Sequence, residues 1–242
     1  MKRLMILGGG SSQRTTFRRA RDLGFFTILA DRDPNAPART EADLFVEAST
    51  FDIEAITRAA YDHRADAILV VGTDQPVYTA ACASETLGLP FPLTSEQARL
   101  VTNKAAMKER FTGADIPTAR YAVLGADASR WGAEGLDSLS PPYVVKPLDS
   151  QGQRGIIVAD DVDAIVRHLP VALSFSRDTR ILVEEYFPSK EVTVSGWTHS
   201  NGEVEIWTIT DRVTLLNPPS IGVCLAHRYP SYHAAGCEEV IR

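Results

Sequence analysis

"YVVKPLDSQGQRG", Tyr143 to Gly155, reads as an apolar strand that delivers a lysine and runs straight into a polar, glycine-bearing loop. Lys146 can set a compact ammonium against a phosphate. Gly152 and Gly155 free the backbone N–H groups around Ser150 and Gln151 to approach anionic oxygens. A plain hairpin would explain the same letters. What favours a phosphate is the scarcity of lysine: of 25 Lys and Arg residues only five are Lys, at positions Lys2, Lys104, Lys108, Lys146 and Lys190. A chain that otherwise uses arginine gains from a lysine where a point charge is wanted and a planar fork is not.

Downstream lies "ILVEEYFPSKE", Ile181 to Glu191, an apolar strand ending in acids, with a further acid seven residues after Glu184. A strand end that stops pairing exposes backbone groups able to read a purine edge as a neighbouring strand would. Glu184 could accept from an exocyclic amine, and Glu191 could accept from two ribose hydroxyls. Surface acids on strand ends are the plain alternative.

Upstream, the first ninety residues alternate strand and helix. "RLMIL", "FFTILAD", "LFVEA" and "DAILVVG" are strands; Ser11 or Ser12 is expected to cap a helix through Leu23, and Asp52 a helix carrying Ile53, Ile56 and Ala60. Such alternation predicts a parallel, doubly wound sheet. Thr94 with Gln97 makes a capping box, and "NKAAMKERFTGADIP" a second helix stopped by Gly113 and Pro117. Beyond it, "YVVKP", "GIIVAD", "RILVEEYF", "EVTVSGWT" and "EVEIWTIT" alternate like antiparallel strands, interrupted by one helix around 161–175. The pattern changes from α/β to α+β near residue 95, which predicts domains over 1–95 and 96–242. "CEEVIR", Cys237 to Arg242, has the acids and apolar residues of a helix's first turn.

Composition narrows the function classes. With 242 residues, 44% of them hydrophobic, the chain can bury a real core. A net charge of −6 gives no basic patch for nucleic acid or an anionic membrane, so small molecules are the expected partners. Cys82, Cys224 and Cys237 are odd in number and lack CxxC spacing, which fits a reducing cytoplasm better than a disulfide framework or zinc knuckle. No apolar run approaches the ~18 residues that span a bilayer.

The opening "LMILGGGSSQR", Leu4 to Arg14, resembles half of a dinucleotide fingerprint. Gly8 and Gly10 supply its first glycines and Asp31 the ribose acid, but Gln13 stands where the third glycine belongs. A dinucleotide-dependent oxidoreductase is therefore a weaker alternative. His227 and His233, six apart, match no common metal-ligand spacing, and Trp131, Trp197 and Trp207 read as core or strand-packing residues.

Lys104, Lys146, the loop Asp149 to Gly155 and the pair Glu184 and Glu191 together resemble, in content, order and spacing, the ATP-grasp superfamily of carbamoyl-phosphate synthetase large chains, biotin carboxylase and glycinamide ribonucleotide synthetase. The resemblance covers essentially the whole chain. It implies a Rossmann-like parallel preceding domain followed by α+β ATP-grasp subdomains with antiparallel sheet. It also implies that Lys104 and Lys146 contact phosphates, that 149–155 is a flexible lid, that Glu184 faces the adenine amine, that Glu185 and Phe187 offer backbone contacts to the ring, and that Glu191 holds the ribose. The implied chemistry is ATP-dependent joining of a carboxylate to an amine or thiol through an acyl phosphate, with Mg2+ as cofactor and, by analogy, a possible homodimer. The family's metal ligands, an acid followed by E-x-N, are expected past Arg242. Glu203, Glu205 and Asp211 read instead as a solvated strand face. A non-catalytic nucleotide-binding fragment or regulatory module is the alternative that this departure favours.

Overall fold

A computed structural model describes residues 1–217 and 220–234; the helix start expected over Cys237 to Arg242 lies outside the described residues. The chain divides into two units, Met1–Pro117 and Thr118–Arg242.

In the first unit, β1 (Arg3–Leu7), β2 (Phe26–Asp31), β3 (Leu44–Glu47) and β4 (Ala67–Val70) form a sheet in the order β3-β2-β1-β4. Every pairing is parallel. Apart from Thr27 and the strand ends Arg3, Asp31 and Glu47, the strands are apolar because both faces are covered. Met5 and Leu7 pack with Ile28, Ile56, Ala60 and Ala80 on one side, and Ile6 packs with Phe17, Ala20 and Leu29 on the other. Ile28 and Leu29 are neighbours on β2, and the other partners come from α1 (Arg14–Asp22), α2 (Ile53–Asp62) and α3 (Gln75–Leu87).

The caps are partly as expected. Asp52 accepts from the Ala55 N–H, and Thr94 and Gln97 form both bonds of the capping box that opens α4 (Ser95–Thr102). Neither Ser11 nor Ser12 caps α1: a short 3-10 turn, Ser11–Gln13, precedes it, and no side chain closes its first turn. Next comes α5 (Lys104–Gly113), capped by Asn103.

The second unit holds two antiparallel sheets. The first contains β5 (Tyr121–Leu124), β6 (Tyr143–Pro147), β7 (Ile157–Ala159) and β8 (Ile181–Glu185) in the order β5-β8-β6-β7. One face carries Ala122, Leu124, Tyr143, Val145, Ile181 and Val183, packed against Trp131 and against Ile165 and Ala172 of α6 (Val162–Ser174). Trp131 is buried, and its Nε1 donates to the Gly125 carbonyl at 2.8 Å, so its one polar group is satisfied. The second sheet runs β11-β10-β9, with β9 (Val192–Thr198), β10 (Val204–Asn217) and β11 (Ser220–Arg228). Trp197 and Trp207 stand exposed on it, stacked with centroids 6.2 Å apart.

Candidate functional site

Strand register brings Lys146 and Glu184 together. Val144 lies opposite Glu184, and Lys146 opposite Leu182, on neighbouring antiparallel strands. Residues two apart share a face, so Lys146 and Glu184 are diagonal neighbours on the side of the sheet away from α6. Their ammonium and carboxylate form an ion pair. Glu184 is 4% exposed, so a buried carboxylate has its ammonium partner on the next strand.

At the end of β8 the pairing stops for a chemical reason. Tyr186 N–H donates to the Pro142 carbonyl at 2.8 Å, but Pro142 has no N–H to return. Glu185 N–H donates to the Arg120 carbonyl at 3.0 Å, and its carboxylate accepts from Arg120 Nη1 at 3.1 Å and Ser140 N–H at 2.8 Å. A backbone contact from Glu185 to a ring must therefore use its carbonyl. Phe187 follows, 75% exposed.

The loop after Lys146 is anchored at its base. Asp149 accepts from Ser176 Oγ at 2.6 Å and Arg177 Nε at 2.9 Å. Burial works to raise the Asp149 carboxyl, but the bonds from Ser176 and Arg177 outweigh it and hold the group below its ordinary value. Ser150, itself buried, donates from Oγ to the Arg154 carbonyl at 3.0 Å. Gly152 and Gln153 both have positive φ, +61° and +62°, and Arg154 N–H closes back to the Gln151 carbonyl at 3.3 Å. That combination marks a tight, primed hairpin turn. Gly155 has φ +73°, and a Cβ there would sit 2.7 Å from Pro147 Cγ. Of the two readings considered for Tyr143 to Gly155, the hairpin is what the backbone shows: a turn tip standing on a fixed base.

Glu191 precedes β9, and its carboxylate Oε2 lies 3.5 Å from Arg212 Nε on β10. Lys104 is the first residue of α5, in the other unit. A helix start normally favours acids, so a lysine there adds to the positive end of the dipole without stabilising the helix.

Asp211 corrects the sequence reading. It is 2% exposed, not on a solvated face, and its carboxylate accepts from Ser231 Oγ, Tyr232 N–H at 3.0 Å and His233 N–H at 3.2 Å. These bonds, led by Ser231, hold its carboxyl at about 2. Glu203 and Glu205 are exposed, engaged with Asn201 and His199 in the β9–β10 turn region. His227 bonds Thr210 and Cys224, whereas the His233 ring packs edge-on to Tyr232. Among the described residues no three His, Cys, Asp or Glu side chains converge as a metal would require.

In the first unit, Gln13 also acquires a role. It is buried, and its Nε2 donates to the Val71 carbonyl at 2.9 Å, bridging the loops after β1 and β4. The Gly9 N–H, which a pyrophosphate would need, donates to Asp31 Oδ2 at 2.7 Å. Asp31 Oδ1 accepts from Asp33 N–H, so the acid of the half-fingerprint already serves its own turn.

Arg120, Ser176, Arg177 and Arg212 escaped the sequence reading, and Gln153 was read only as part of the loop 149–155. Each acts through a partner distant in sequence, and nothing local in the letters marks such a pairing.

No family model matches the sequence. A phosphoribosylamine–glycine ligase of Streptomyces coelicolor is 30% identical over 194 residues, covering 79% of this chain and 44% of that protein. A formate-dependent phosphoribosylglycinamide formyltransferase of Parasynechococcus marenigrum is 27% identical over 206 residues, 84% of this chain and 52% of that protein. The chain thus spans about half the length of the curated relatives it matches. Among solved structures, the ATP complex of carboxyaminoimidazole ribonucleotide synthase from Aspergillus clavatus matches with TM-score 0.72 at 20% identity, over 100% of this chain and 62% of that one. A parallel α/β unit followed by antiparallel sheets is the fold the chain shares with that structure. The sequence relatives and the structural neighbours of this chain are ATP-grasp enzymes.

Proposed function

We propose that this chain carries the nucleotide-holding part of an ATP-dependent ligase that joins a carboxylate to an amine. The observation that carries the reading is the Lys146–Glu184 pair beside the anchored glycine hairpin. Each partner is a surrogate for a piece of ligand: an adenine amine can take the place of the ammonium on Glu184, and phosphate oxygens can take the place of the carboxylate on Lys146. Glu185 carbonyl and Phe187 N–H then edge the ring, Glu191 accepts from the ribose diol, and Ser150, Gln151, Gly152 and Gly155 shape the hairpin over the phosphates.

Phosphoribosylamine–glycine ligase is named for an amine and a carboxylic acid. In the reaction proposed here, a carboxylate oxygen attacks the γ-phosphorus, the bond to the ADP oxygen breaks, and an acyl phosphate forms. The amine then attacks the acyl carbon, phosphate leaves with the bonding pair, and the amine proton passes to solvent or base. Magnesium would supply charge neutralisation at the phosphates. The described residues offer no convergent set of acids to hold it, so no step is assigned through the metal.

Incubation with ATP, a panel of carboxylates and hydroxylamine tests the chemistry. Hydroxamate and ADP forming together with one carboxylate is the expected result. ATP bound tightly with neither product from any carboxylate would leave a nucleotide-binding module in place of a ligase.

A further inference from the structure

β10 is held at Asp211 by the 231–234 turn, so the next residue projects to the opposite face from a fixed backbone. That residue is Arg212. Its backbone N–H donates to the Glu191 carbonyl at 2.9 Å, and its Nη2 donates to the Gly222 carbonyl at 3.1 Å. Its Nε is buried and lies 3.5 Å from Glu191 Oε2, beyond good hydrogen-bonding distance. The Gly222 carbonyl also accepts from Gln153 Nε2, at 3.1 Å, from the tip of the glycine hairpin. Gly222 has φ +74°, and a Cβ there would meet the Gln153 amide at 3.1 Å, so a larger residue would disturb the contact.

We propose that Arg212 is a positioning residue: it aims the Glu191 carboxylate at a ribose diol and, through the Gly222 carbonyl it shares with Gln153, tethers the hairpin that covers the phosphates. The inference rests on the nucleotide site proposed above and assigns the device that couples its two halves. The long Nε to Oε2 separation orients the carboxylate while leaving both oxygens able to accept from hydroxyls. A planar fork can address Glu191 and Gly222 at once, which a lysine ammonium on a flexible stem cannot do in fixed geometry.

Calorimetric titration of ATP and 2′,3′-dideoxy-ATP into wild type, Arg212→Met, Arg212→Lys and Gln153→Leu tests it. Wild type is expected to prefer ATP about tenfold, the size of a charge-assisted contact. Arg212→Met should reduce that preference to within about twofold while binding of the dideoxy nucleotide changes little, a pattern that general loss of structure would not produce. Arg212→Lys should not restore it. Gln153→Leu should weaken ATP and leave adenosine unchanged, and combining it with Arg212→Met should cost less than the sum of the two. If wild type binds neither nucleotide, the nucleotide site itself is wrong. If wild type binds ATP and either Arg212 variant keeps the tenfold preference, the site stands and the role of Arg212 is overturned. Should Arg212→Met fail to fold, Arg212→Lys and Gln153→Leu decide between the same two results.

Discussion

At Lys146 and Glu184, the contact that holds two strands together is also the one the proposed function assigns to the nucleotide, and the two roles can be separated by mutation. Removing only Lys146 leaves a carboxylate that is 4% exposed without its ammonium. Lys146→Met should lower unfolding free energy by about 2–3 kcal/mol in urea, less than the ~3–5 of a fully buried pair because the lysine side chain is 27% exposed. Replacing both, Lys146→Met with Glu184→Leu, should recover most of that loss, since no uncompensated charge remains. The hairpin glycines make a second contrast. Gly155→Ala meets both a positive φ and a Cβ contact at 2.7 Å, whereas Gly152→Ala meets only the φ, with nothing within 4 Å. In the same urea titrations the first should cost about 2–3 kcal/mol and the second about 1. Lys146 and Glu184 both stand out in the sequence, as a rare lysine and as part of a strand ending in acids. Their pairing does not, because it depends on strand register 38 residues apart.

Among the elements, β10 and the turn that follows β11 are joined by one carboxylate. The Asp211 carboxyl sits at about 2 in the fold against an ordinary 3.8, so its contribution to stability is complete above pH 4 and fades as the pH falls toward 2. The difference in unfolding free energy between wild type and Asp211→Asn should be constant from neutral pH down to about 4 and shrink below it; a difference that grows on acidification would contradict the assignment. The alternating strands and capped helices were readable from periodicity, with Asp52 and the Thr94 box landing where expected. Two strands, β5 and β11, were not read, although Ile221, Val223 and Leu225 of β11 alternate with small or polar residues. Asp211 was misread as solvated because the turn that buries it lies 20 residues further on.

Across the whole molecule, the glycine turn after β1 lies in the first unit and the Lys146–Glu184 pair in the second. In the first unit Gln13 stands at the third-glycine position and bonds the Val71 carbonyl, while the Gly9 N–H is taken by Asp31 whatever occupies position 13. Gln13→Gly should destabilise the first unit by about 1–3 kcal/mol through the lost bond to Val71, and equilibrium dialysis should detect no gain of NAD binding. The family was visible in the order of Lys104, Lys146, the hairpin and the two acids, whereas the sheet orders and the tethering arginines needed three dimensions. The central claim is that an adenine nucleotide takes the places that Lys146 and Glu184 fill for each other. Calorimetric titration of ATP into wild type and into the Lys146→Met, Glu184→Leu double variant tests it most directly, because the double variant is expected to stay folded. The account predicts saturable binding to wild type and at least a tenfold loss in the double variant; equal affinity in the two proteins would contradict it.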